Sequence, residues 1–186
     1  MNKSVKGIAF ATLTAGVFAM QAAPAGAATA SELEATATAS LKQCFADVGG
    51  CKAVGEKAKG ILVFPEITQA AVGIGGSYGE GVLMVNGKPV GFYSLAGGSV
   101  GLQLGAQKFS QVVMFMTKES LAQFQASSGW TADAAAGVTW IDQGASEQAS
   151  TMSQDKPVIG FAFGAQGLMG AAAVGGAKIT PFTPEK

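Results

Sequence analysis

The chain contains no arginine and no histidine; all 12 of its basic residues are lysine. Without histidine, no Ser-His-Asp triad, Cys-His pair or His-ligated zinc site can be assembled from this chain alone. Without arginine there is no bidentate clamp for phosphate or guanine. Charge of either sign is sparse: charged residues are 13% of the 186, and 12 lysines balance 12 carboxylates. The electrostatic footprint of a nucleic-acid binder is missing, so no nucleic-acid partner is expected. Neither a metal nor a cofactor is expected. Glycine is abundant, with 27 residues in a chain that is 48% apolar. Low charge with high hydrophobicity argues for a packed domain rather than disorder. Composition and motifs together read as an exported, β-rich globular domain that is not an enzyme.

Residues 1–27 read as a secretory leader. Lys3 and Lys6 give a positive start, Gly7 to Ala23 are apolar or small, Pro24 breaks the run, and Ala25-Gly26-Ala27 supplies a small-x-small cleavage pattern. The competing reading is a membrane anchor. The run contains Thr12, Thr14 and Gln21 and sits at the short end of a spanning length of ~20 residues. Cleavage between Ala27 and Ala28 is expected to leave one domain, 28–186, in the periplasm or outside the cell and peripheral to the membrane. Losing Lys3 and Lys6 takes 12 lysines to 10 against 12 carboxylates, a net charge near −2.

Cys44 and Cys51 fit an oxidising compartment. Seven residues apart on an unbroken helix, they would lie ~10.5 Å apart along the axis. A disulfide needs Cα atoms within ~7 Å. Gly49-Gly50 interrupts the helical pattern and can fold the chain back, so a bridge is expected. Two reduced, buried thiols are the alternative.

Residues 31–45 have the pattern of an amphipathic helix, with Ser31 and Glu34 as a capping box and Leu33, Ala37, Leu41 and Phe45 on one stripe. A second short helix is expected over 51–59, with Lys52, Lys57 and Lys59 outward and Gly60 ending it. Strands follow. Ile61 to Phe64 is expected to stop at Pro65, and 70–79 is glycine-rich and β-compatible. Asn86-Gly87 between apolar runs is a type I′ hairpin signal, with Pro89 at an edge. Val112 to Met116 is apolar throughout, which implies that both its faces are covered. Thr117 caps a short helix that turns Leu121 and Phe124 inward. Ile159, Phe161 and Phe163 alternate with Gly160, Ala162 and Gly164, giving a bulky face and a small one. The small face permits sharp curvature or close approach of another element. The fold class expected is mainly β (α+β): a strongly curved antiparallel sheet or partly closed barrel, with short amino-terminal helices and one inserted helix.

Three motifs resemble catalytic signatures. Gly75-Gly76-Ser77-Tyr78-Gly79 and Gly97-Gly98-Ser99-Val100-Gly101 match the nucleophile elbow, but neither precedes a helical pattern and no histidine is present. Ser153 and Lys156 match Ser-x-x-Lys, but Pro157 comes next and the companion motifs are absent. A solvated loop is the better account. The glycines from 73 to 81 lack the Gly-Lys-Ser/Thr ending of a phosphate loop.

Two stretches resemble the SYLF-domain family. Ala58-Lys59-Gly60-Ile61-Leu62-Val63-Phe64-Pro65-Glu66 is similar to the family's Ala-Lys-Gly-hydrophobic-Phe-Pro opening. Gly97-Gly98-Ser99-Val100-Gly101-Leu102-Gln103-Leu104-Gly105, continuing through Gln111 to Met116 and the helix around Leu121 and Phe124, is similar to its Gly-Leu-Gln strand, apolar strand and short helix ending near a Phe. The resemblance covers roughly residues 50–182. It departs at Phe92 to Ala96, at Lys156 to Gly164, and in the absence of arginine. It implies a β-rich fold with amino-terminal helices and a lipid-binding role. Actin binding belongs to eukaryotic members and is not expected here.

The function expected is that of an exported, non-enzymatic phospholipid or membrane-surface binding domain. The alternative is a structural or scaffold protein of the cell envelope that binds another protein. Candidate lipid-contacting residues are Lys42, Lys52, Lys57 and Lys59, with the apolar stripe Leu33, Leu41 and Phe45. That stripe has a second possible use, packing on the sheet, which withdraws it from lipid.

Overall fold

Asn86 and Gly87 take positive φ angles of 52° and 73° and turn the chain back on itself in a two-residue hairpin. The computed structural model describes residues 28–133, 135–141, 156–164 and 176–185. Its centre is this hairpin. β1 (Gly60–Val85) and β2 (Lys88–Phe115) pair antiparallel from Val85↔Lys88 to Gly60↔Phe115. The expected stop at Pro65 does not occur. The register shifts between Phe64 and Ile67, so Pro65 sits in a bulge and the ladder resumes beyond it. A bulge removes the need for the N–H that proline lacks. The Ser110 hydroxyl donates to the Pro65 carbonyl across it at 2.7 Å.

A strand of this length would run ~85 Å if straight. Instead β1 folds back on itself. A Cβ placed on Gly79 would lie 2.8 Å from Ile67 Cγ1 and 2.9 Å from the Glu66 carbonyl oxygen. Gly81 is crowded in the same way by Val63 and Phe64. These two glycines let the halves of one strand approach closely.

β5 (Val158–Phe163) and β6 (Lys178–Phe182) add to the outer edge of β2 at its two ends, against 110–115 and 92–96. β3 (Trp130–Thr131) pairs with β6, and β4 (Val138–Ile141) pairs with β5. The result is a strongly curled half-barrel with a few helices, as the strand pattern implies. The sheet is mixed rather than antiparallel throughout, because β4 and β5 run parallel. The 142–157 connection between them is long enough for a parallel crossover.

α1 (Ala30–Asp47) and α2 (Cys51–Gly55) cover one face. The capping box of α1 is Thr29 with Glu32, not Ser31 with Glu34. The Thr29 N–H donates to Glu32 Oε2 at 3.0 Å, and the Glu32 N–H donates to Thr29 Oγ1 at 3.4 Å. Both pairs have the required spacing, and the chain uses the earlier one. α2 ends at Gly55 rather than 59. Gly60 opens β1 instead of capping the helix, because the Lys59 N–H already donates to the Phe115 carbonyl at 2.7 Å.

α3 (Lys118–Ala126) is capped by Thr117, whose hydroxyl oxygen accepts from the Ser120 N–H, and it covers the opposite face. Its Phe124 stacks at 4.7 Å on Phe115 and meets Trp130 at 5.4 Å. Val112 and Met114 point into the α1–α2 cluster, while Val113 and Phe115 point into the α3 cluster. That is the two-sided burial implied by the apolar run. On β5 the small face does what small residues permit: the Trp140 ring lies where a Cβ on Gly160 would stand.

Candidate functional site

The helical layer is tied together by a disulfide. Cys44 and Cys51 are bridged, with Cα atoms 6.0 Å apart. Gly50, at φ 77°, turns the chain between the helices. Among the expected lipid contacts, Lys42, Lys52, Lys57 and Lys59 are all exposed. The apolar stripe takes its second use. Leu33 is 4% exposed and part of the core beneath α1, and Leu41 and Phe45 are half-buried against the same cluster. It faces the sheet rather than the surroundings.

Strand order adds to the lysines. Lys59 immediately precedes β1 and bonds through its N–H to Phe115, the last residue of β2. The Met116 N–H in turn donates to the Pro157 carbonyl, just ahead of β5, at 2.9 Å. Lys59, Lys118 and Lys156 therefore lie at one end of three adjacent strands, and all three are exposed. The exposed Glu56 and Glu119 are interleaved with them. Lys118 and Lys156 carried no signal as contacts in the sequence, since only non-local pairing brings them to this end.

A second feature lies between α1 and β1. A cleft of about 700 Å³ is walled by Thr36, Ser40 and Gln43 of the helix and by Glu66, Tyr78 and Glu80 of the strand. The Tyr78 hydroxyl donates to Glu80 Oε1 at 2.7 Å. That bond, helped by partial burial and the carboxylate's charge, pushes the phenol up to about 12. Glu66 carries an ion pair with Lys108 at 2.7 Å. Ser40 Oγ is buried without a hydrogen-bond partner. Tyr78 and Glu80 are two apart on a strand and so share a face, but nothing local in the sequence links them to Ser40.

The two elbow-like motifs face each other in the hairpin. Gly75 pairs with Ser99 and Ser77 with Gly97, in strand on both sides. The strand-to-helix turn that an elbow requires is absent there. The Ser77 hydroxyl stands 2.7 Å from where a Cβ on Gly97 would be, so this glycine makes room for a serine. Ser153 lies outside the described residues. Among the described residues no group of three or more His, Cys, Asp or Glu is placed to hold a metal, and no helix is long and apolar enough to cross a membrane.

The fold is thus a curled β half-barrel with a disulfide-tied helical layer. Residues 96–184 match the Ysc84 family, described as Las17-binding protein actin regulator, and this is the SYLF-domain family that the motifs resemble. The match spans β2 from Ala96 onward, α3 and β3 to β6. The Ala58 to Glu66 motif lies ahead of it. No curated protein matches the chain.

Proposed function

We propose that this chain is an exported, non-enzymatic domain that binds phospholipid at a membrane surface through its lysine-bearing end. A binding role is supported by the family match, since the family is described by what it binds and regulates rather than by a reaction. The observation that carries the membrane reading is the convergence of Lys59, Lys118 and Lys156 at adjacent strand ends, next to Lys52 on α2 and Lys57 in the turn after it. Each lysine near an anionic surface contributes ~1 kcal/mol. With the α1 stripe packed on the sheet, contact is by surface charge rather than helix insertion. The net charge near −2 of a chain starting at Ala28 opposes it. Binding is therefore weak to moderate, prefers anionic to neutral vesicles, and weakens with salt.

Vesicle sedimentation tests this. The parent is expected to pellet with anionic vesicles and not with neutral ones. If it pellets with none of any composition, the envelope-scaffold reading replaces this one. Export is part of the proposal, and mass spectrometry of protein from the native envelope is expected to find Ala28 first. Retention of Met1 would overturn the localisation.

A further inference from the structure

We propose that the cleft between α1 and β1 is a second binding site, for an organic ammonium carried on an apolar stem. It goes beyond the membrane reading and uses none of the same residues.

Three hydroxyl protons around the cleft, though not that of Ser40, are already committed. Thr36 donates to the Glu32 carbonyl at 2.8 Å, Ser110 to the Pro65 carbonyl at 2.7 Å, and Tyr78 to Glu80. What these groups still offer a ligand is lone pairs. The charged side chains of the lining are both carboxylates, Glu66 and Glu80. No lysine is among the lining residues; Lys108 reaches Glu66 from outside the cleft in a bridge whose two side chains are 64% and 57% exposed. An ion pair that open contributes little and yields to a competing cation. The wall is thus rich in acceptors and negative charge, which selects for a donor-rich cation and against an anion.

Two observations point to an occupant. Ser40 is 7% exposed and lines the cleft, yet its Oγ has no hydrogen-bond partner. That oxygen has almost no exposed surface, so a ligand's donor satisfies it once the Ser40 side chain turns toward the cleft. Tyr78 is 54% exposed, an unusual position for a large ring, and its hydroxyl is held by Glu80. A ring so held is a ready face for a cation. Leu33 and Ala39 supply an apolar floor for the stem.

The test uses the full 186-residue chain, because in a chain beginning at Ala28, also at the cleft, the free amine would compete with the cation. Hexyltrimethylammonium is titrated against hexanesulfonate, which has the same tail and the opposite charge, with the backbone amides of Ser40 and Gly79 followed by NMR. The cation is expected to shift both amides saturably and the sulfonate to shift neither. Glu80→Gln, at a partly exposed position, should weaken the cation about fivefold or more. Ser40→Leu, which fills the floor, should abolish binding in a chain that keeps its far-UV spectrum. Equal shifts from both probes would overturn the proposal. So would no saturation, or a titration that Glu80→Gln leaves unchanged. Phosphatidylethanolamine vesicles identify the source: binding that falls in Glu80→Gln points to a lipid headgroup, and loss confined to the free probe points to a soluble amine. The lysine end can fail its own test without touching this one.

Discussion

The lysine end of the sheet and the α1–β1 cleft both involve β1 and carry opposite charge. At the end, Lys52, Lys57 and Lys59 lead into β1, with Lys118 just beyond the end of β2 and Lys156 just ahead of β5. At the cleft, the strand face presents Glu66 and Glu80. A formal net charge of zero is therefore a sum over sorted regions, not a statement that the surface is neutral. The two differ in construction as well. At the strand ends the lysines are exposed, whereas at the cleft the Thr36, Ser110 and Tyr78 hydroxyls are held by hydrogen bonds. The first arrangement suits a diffuse anionic surface, and the second a ligand of defined shape.

The comparison is broken most strongly by reversing one sign. Lys52→Glu with Lys57→Glu and Lys59→Glu is expected to cost up to ~3 kcal/mol of anionic-vesicle binding. All three side chains are exposed, so the domain should stay folded. Cation binding at the cleft should be unchanged. A folded triple variant that still sediments with anionic vesicles as well as the parent would take these lysines out of the membrane surface.

The disulfide joins the two regions, since Cys44 lies on the helix that walls the cleft and Cys51 opens the helix that carries Lys52. Replacing both by alanine should lower stability by about 2 kcal/mol, modest because the closed loop is short. Denaturant unfolding measures this. Free-thiol labelling of denatured, native-purified parent at two equivalents would show that the bridge does not form.

A third change sharpens the contrast by acting on one side alone. Gly79→Val sets methyls against Ile67 and the Glu66 carbonyl at the strand crossing behind the cleft. The expected cost is ~1–2 kcal/mol from overpacking, with the cleft distorted. Vesicle binding at the lysine end should be preserved. Equal damage to both regions would mean that the crossing supports the whole half-barrel rather than one wall.

Much of the fold was legible because its signals are local. Asn86-Gly87 dictates its own turn, the apolar 112–116 run announces two covered faces, and Gly49-Gly50 lets Cys44 reach Cys51. Pro65 misled, because a proline that ends a ladder and one that sits in a bulge read alike. Ser31–Glu34 and Thr29–Glu32 satisfy the same capping rule, and spacing does not choose between them. The stripe on α1 showed that the helix has an apolar face, but not whether sheet or lipid covers it. Lys118, Lys156 and Ser40 were hidden for a stronger reason. Their neighbours are set by strand order and by where α1 docks, and neither is written within a few residues of them.

The smallest effect expected is at the start of α1, and pH brings it out. Hydrogen bonds from the Thr29 backbone N–H and, second, its hydroxyl hold the Glu32 carboxyl below its ordinary value of 4.5. A carboxyl depressed on folding stabilises the folded state fully above that ordinary value, and the contribution disappears as pH falls through the lower folded value. Acid should therefore fray the first turn of α1, which carries Leu33 toward the cleft. Thr29→Ala removes the hydroxyl but leaves the backbone N–H. It should cost about 1 kcal/mol and return Glu32 only part of the way toward 4.5. NMR titration of the Glu32 carboxyl, with amide exchange over residues 30–33, follows both. A parent Glu32 that titrates at its ordinary value would mean that the cap does not hold in solution.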